Sequence, residues 1–108
     1  YAFVALTDNR LLGARDPWGL RPLVLGELEG APILCSETCA LDAIGASFVR
    51  DIEPGEVVVI TDAGVESLTP MPVKRASPCV FEYVYFARPD STMHGRSVYD
   101  VRQRFGRI

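Results

Sequence analysis

The sequence predicts an α+β fold made mostly of antiparallel hairpins. Three observations predict it. Short apolar runs alternate with turns rich in Asp, Asn and Gly through the first two-thirds of the chain. One short helical pattern falls between the second and third pairs of runs, and a helix-capping signature opens the last dozen residues.

Residues 1–6 and 11–15 flank Thr7-Asp8-Asn9-Arg10, where Asp and Asn are natural turn formers. Residues 23–28 and 32–36 flank Glu29-Gly30. Residues 37–46 form the helical pattern, with Leu41 and Ile44 at i, i+3 facing a core, Ser36 or Thr38 as its cap and Gly45 near its end. Pro54-Gly55 turns the chain into a third pair, 56–61 and 65–68, joined through Asp62-Ala63-Gly64. Pro70, Pro72 and Pro78 make residues 69–78 an extended connector. Residues 79–86, CVFEYVYF, read as a strand that is apolar on both faces, so both faces want cover. A polar loop follows over 90–96. Ser97-Val98-Tyr99-Asp100 then fits the capping box of a helix with Val98, Val101 and Phe105 inward and Arg96, Arg102, Arg104 and Arg107 wet.

Composition removes several classes. A length of 108 residues suits one modest core. A net charge of −3 provides no basic field for nucleic acid. The apolar runs are strand-sized, short of the ~20 residues that span a bilayer as a helix. Cys35, Cys39 and Cys79 make an odd count, which suits a reducing cytoplasm better than a secreted disulfide framework. Tyr1 already lies in a strand pattern and 98–108 reads as a helix cut short, so the sequence reads as a stretch of a longer chain.

Local chemistry yields no reaction. Cys39 at a helix start is a candidate nucleophile, but the one histidine, His94, is far along the chain, and a small packed thiol is the plainer reading. Cys35 and Cys39 are spaced C-x3-C with no second pair to complete a zinc site. Phosphate-cradling glycine motifs are absent. Arg15 and Arg21 bracket Asp16-Pro17-Trp18-Gly19, either holding an anion or, more simply, neutralising carboxylates around a tight turn.

Three stretches carry a resemblance. Residues 15–23, RDPWGLRPL, resemble a turn of class II glutamine amidotransferase domains, and residues 36–42, SETCALD, resemble a helix start of one branch. Residues 81–91, FEYVYFARPDS, are similar to the segment that leaves this domain in the amidophosphoribosyltransferase family. The resemblance implies part of an Ntn-hydrolase α-β-β-α sandwich over residues 1–78, an interdomain strand and loop over 79–96, and the first helix of a phosphoribosyltransferase domain over 97–108.

It further implies an enzyme that hydrolyses glutamine and passes the ammonia to phosphoribosyl pyrophosphate. The product is 5-phosphoribosylamine, in the first committed step of purine synthesis. Magnesium accompanies the pyrophosphate, purine nucleotides inhibit by feedback, and the enzyme is a homo-oligomer. Its nucleophilic cysteine belongs upstream of Tyr1 and its phosphoribosyl pyrophosphate loop downstream of Ile108. No catalytic residue is therefore assigned here, and the chain is expected to be inactive alone. Tyr83, Tyr85 and Arg88 are expected at the interdomain junction, coupling the two reactions or simply packing it. Cys79 stands where some members place one ligand of a 4Fe–4S cluster; otherwise it is a buried thiol. The other readings are a non-catalytic binding or assembly module on an Ntn-type scaffold, and another class II amidotransferase, making glucosamine phosphate or asparagine. The aromatic 81–91 segment argues against the latter.

Overall fold

A computed structural model describes residues 1–72 and 74–107; Val73 in the proline-rich connector and Ile108 at the end of the last helical pattern lie outside the described residues. The order of elements is β1 (Ala2–Leu6), β2 (Leu11–Arg15), β3 (Val24–Leu28), β4 (Ala31–Cys35), α1 (Thr38–Ile44), β5 (Ser47–Asp51), β6 (Val57–Thr61) and β7 (Gly64–Leu68). A π-helical turn (Glu82–Phe86), the two-residue strands β8 (Thr92–Met93) and β9 (Arg96–Ser97), and α2 (Val98–Phe105) complete it.

Two larger antiparallel sheets result, ordered β1-β2-β6-β7 and β4-β3-β5, beside a small β8-β9 pair. The predicted hairpins are present. In the β3–β4 turn, Glu29 and Gly30 both take positive φ, at 50° and 83°, the paired left-handed geometry that suits a two-residue loop. The core lies where the sheets meet: Leu23, Leu25, Ile52, Val58 and Ile60 are buried together, with Ala2, Leu11 and Leu34 against them. Gly13 of β2 leaves room for Leu34, whose Cδ1 would lie 2.7 Å from a Cβ there and would have to turn aside.

Several expectations are corrected. Strand β5 carried no sequence assignment; it pairs with β3 across a bulge between Leu25 and Gly26. Helix α1 buries Leu41, but Ile44 is exposed. Its N-cap is Glu37, with no side-chain cap bond, rather than Ser36 or Thr38, while Gly45 closes it in the left-handed conformation as expected. Ser97 does cap α2, accepting from the Asp100 N–H at 3.3 Å.

The largest correction concerns the segment expected as an interdomain strand. Its aromatic and β-branched residues have strand propensity, yet 82–86 coils into a π-helical turn, closed by the Ala87 N–H donating to Glu82 O at 2.9 Å. No strand of either sheet pairs with it, so the coil satisfies its backbone internally. A second small cluster, Ala87, Met93 and Val98 with Tyr83, lies beneath it.

Candidate functional site

The connector and the π-helical turn rest on the 15–21 turn. Lys74, Ser77 and Cys79 donate their N–H groups to Pro17, Trp18 and Leu20 carbonyls at 3.2, 2.8 and 3.1 Å. That turn is rigid for a local reason. Asp16 accepts from the Trp18 and Leu20 N–H groups, both at 3.0 Å, which is how an Asx residue stabilises a reversal. The buried Arg15 guanidinium donates to Arg21 O, Ile52 O and Gly19 O at 2.9, 2.6 and 3.2 Å. Arg15 thus makes its hydrogen bonds to backbone carbonyls, with the carboxylates of Asp51, Asp16 and Glu53 near enough to favour its charge.

Arg21 reaches the turn from below. Its Nη1 lies 2.7 Å from Glu82 Oε1 and its guanidinium stands 5.0 Å over the Phe86 ring. The approach to Glu82 is an ion contact without hydrogen-bond alignment, since Oε1 is buried with no directed donor. Burial pushes the Glu82 carboxyl above its usual range, Arg21 pulls it back, and the nearby Glu37 charge pushes it up again.

Two clamps fix the turn and the loop after it. Arg102 of α2 donates through Nε to Tyr83 O at 2.6 Å and through Nη2 to Ala87 O at 2.7 Å, so it faces inward rather than into water as expected. From the other side, Glu37 Oε2 accepts from the Arg88 N–H at 2.8 Å and the Ser91 hydroxyl at 2.7 Å. Beside it, Thr38 Oγ1 accepts from the Thr92 N–H at 2.8 Å.

The expected site residues distribute around this turn. The Tyr83 hydroxyl donates to Met93 O at 2.9 Å, and burial pushes its pKa up, which keeps it a donor. Tyr85 is 79% exposed, on an outer face shared with Val80, Phe81, Val84 and Phe86. Arg88 turns its exposed guanidinium onto Asp90, at 3.0 and 2.9 Å, and is tied to α1 through its backbone. Among the described residues no hydrogen bond joins Tyr83, Tyr85 and Arg88 to one another. Cys79 is a free, half-buried thiol at the foot of the turn.

Chemically the arrangement is a set of directed bonds that fix the turn and the loop after it. Among the described residues no three His, Cys, Asp or Glu side chains are grouped to hold a metal ion. Cys79 offers one sulfur to any such group. Local reasoning missed Glu37 and Arg102. The available signal was Glu37 itself, a glutamate where Ser, Thr, Asp or Asn would cap α1 better.

No protein-family model matches the chain. Curated relatives do, along nearly its whole length. It is 53% identical to the amidophosphoribosyltransferase of Rhizobium etli over 98% of this chain and 22% of that protein. The Synechococcus elongatus amidophosphoribosyltransferase is 57% identical over 93% of this chain and 21% of its own length. The one from Archaeoglobus fulgidus is 42% identical over 100% and 24%. Among solved structures, glutamine phosphoribosylpyrophosphate amidotransferase from B. subtilis, complexed with ADP and GMP, superposes with a TM-score of 0.93 at 44% identity. The match covers 98% of this chain and 23% of that one. The chain therefore spans about a fifth of the length of the relatives it matches. In sequence and in fold it is similar, along nearly its whole length, to one stretch of these amidophosphoribosyltransferases.

Proposed function

We propose that this chain serves, within a protein of its relatives' length, as the joint between glutamine hydrolysis and phosphoribosyl transfer. Residues 1–78 belong to the glutamine amidotransferase domain, of Ntn-hydrolase type. The π-helical turn and loop over 79–96 make the connection, and α2 begins the phosphoribosyltransferase domain. The observation that carries the reading is identity of 53% to a named amidophosphoribosyltransferase over 98% of this chain.

The activity we assign to the whole protein has two halves. Glutamine is hydrolysed to glutamate and ammonia, and the ammonia nitrogen attacks C1 of phosphoribosyl pyrophosphate. A C–N bond forms as the C–O bond to pyrophosphate breaks, giving 5-phosphoribosylamine. Magnesium accompanies the pyrophosphate leaving group, and purine nucleotides inhibit by feedback; the B. subtilis neighbour, solved with ADP and GMP, supports a nucleotide site in the whole protein. The whole protein is a homo-oligomer in the cytoplasm. Three free cysteines suit a reducing compartment, though the soybean relative is named as chloroplastic. The relatives' names do not favour a non-catalytic module or another class II amidotransferase.

Tyr83, Tyr85 and Arg88 lie at the junction. Exposed aromatic rings at Phe81, Tyr85 and Phe86 give the transferase side an apolar face to pack on. Cys79 is a plain thiol in this reading; the alternative, one ligand of a 4Fe–4S cluster, takes its other thiolates from the rest of the whole protein.

The test is the whole protein supplied with glutamine and phosphoribosyl pyrophosphate. Pyrophosphate release together with glutamate formation supports the reading; glutamate formation without pyrophosphate contradicts it. Tyr85→Phe then addresses coupling. Unchanged stimulation of glutamine hydrolysis by phosphoribosyl pyrophosphate would remove the Tyr85 hydroxyl from that role.

A further inference from the structure

We propose that Glu37 is the positioning residue that transmits between the two halves of the reaction, an assignment that rests on the functional reading above. Glu37 occupies the N-cap of α1, with extended backbone at φ −136° and ψ 145°, yet its carboxylate makes no capping bond to its own helix. Glutamate is not among the residues that cap well. The carboxylate is spent instead on residues 51 and 54 positions later, the Arg88 N–H at 2.8 Å and the Ser91 hydroxyl at 2.7 Å, where Ser91 is almost fully buried. Thr38 adds the third tie, to the Thr92 N–H.

What lies beyond those ties is continuous. Ser91 O accepts from the Val98 N–H at 3.0 Å, and Pro89 O accepts from the Tyr99 N–H at 3.1 Å. The 88–92 loop is therefore bonded to α1 on one side and to the first turn of α2 on the other. Arg102 of α2 then holds the carbonyls of Tyr83 and Ala87. A displacement of α1 moves the 88–92 loop and with it the start of α2. The bonds to Glu37 are charge-assisted and directional, so they resist rotation as well as separation. Cys39 Sγ, 3.5 Å from the same Oε2, sits within this contact.

The experiment compares two nitrogen sources in the whole protein. Glu37→Gln keeps an acceptor oxygen and removes the charge; Ser91→Ala removes one donor and disturbs folding less. For both variants, ammonia-dependent transfer and basal glutamine hydrolysis are expected within about twofold of the parent, while glutamine-dependent transfer falls about tenfold for Glu37→Gln and less for Ser91→Ala, the size of losing one charge-assisted bond. The double variant is expected to match Glu37→Gln, since both remove the same contact. An unmoved ratio of glutamine-dependent to ammonia-dependent transfer overturns the assignment. Equal loss of all three activities overturns it too, because a purely structural residue behaves so. If the parent protein transfers nitrogen from neither source, the functional reading itself fails, and this assignment goes with it.

Discussion

Arg50 grips the Glu56 carboxylate with both terminal nitrogens, Nη1 on Oε2 at 2.9 Å and Nη2 on Oε1 at 2.6 Å. Glu56 is almost fully buried at the start of β6, and the same two oxygens also accept from the Ser67 hydroxyl at 2.6 Å and the Glu53 N–H at 2.7 Å. One carboxylate thus ties the ends of β5, β6 and β7 together. The pair is bidentate and fully satisfied, the condition under which a buried ion pair is not a liability.

That geometry fixes a pH dependence. Burial pushes the Glu56 carboxyl up, but the bonds from Arg50, Ser67 and Glu53 push it down further, to about 2 from an ordinary 4.5. A group with a depressed folded pKa stabilises fully above its unfolded value and loses that contribution as pH falls through the folded one. Glu56→Gln is expected to cost about 2 kcal/mol at pH 7, allowing for the water that reaches Arg50. The urea midpoints of parent and variant should converge as pH falls from 4.5 towards 2. Parallel curves would show that the charge is not what stabilises.

Glu82 gives the opposite slope. Its folded pKa is raised, by burial first, so protonation strengthens the native state and stability rises as pH falls through the folded value. Arg21→Met strands the buried charge and is expected to cost about 2 kcal/mol at neutral pH, less than a fully buried pair because Arg21 is half-exposed. The deficit should shrink as pH falls through the raised Glu82 value, above the window in which Glu56 protonates. Glu82→Gln in the same background should abolish the slope. Denaturation at two pH values decides it.

Gly26 of β3 is a packing test. A Cβ there would lie 2.8 Å from Leu41 Cδ1 and 3.0 Å from Ser47 O, with Leu41 Cδ2 closer still. The missing side chain is what lets α1 lay Leu41, 1% exposed, on β3. Gly26→Ala is expected to destabilise by about 2 kcal/mol through overpacking. Combined with Leu41→Ala it should cost less than the sum of the two, since the smaller residue vacates the space. Strict additivity in chemical denaturation would place the clash elsewhere.

The hairpins were legible because their turns are built from residues with a backbone reason to be there, such as Glu29-Gly30 at positive φ. The cap of α2 was legible for the same reason, a local side-chain bond within three residues. The coil of 82–86 was not. Its composition favours a strand, and only the lack of a partner strand and the inward pull of Arg102, 15 to 19 residues away, decide otherwise. Strand β5 was hidden because Phe48 and Val49 are both about half exposed, so no alternation marks an inner face. In the candidate site, Tyr83, Tyr85 and Arg88 were proposed through resemblance, whereas Glu37 makes bonds to residues more than 50 positions away, which no window of sequence displays.

Arg102 yields the last prediction. Its guanidinium spans the Tyr83 and Ala87 carbonyls, four residues apart, with two nitrogens of one planar fork. These bonds cap the carbonyl end of the π-helical turn, where exposed backbone would otherwise meet water. Arg102→Ala is expected to raise amide exchange across 82–87 by about tenfold, since each charge-assisted bond is worth about 1.5 kcal/mol or more. Chymotryptic cleavage at the exposed Tyr85 and Phe86 should quicken in step, because both report the same local opening. Arg102→Lys should rescue little: an ammonium is a point donor and does not reproduce the fork. Amides of β2 and β6, in the separate core, should exchange as in the parent. If 82–87 exchange is unchanged in Arg102→Ala, the turn holds itself and α2 merely leans against it.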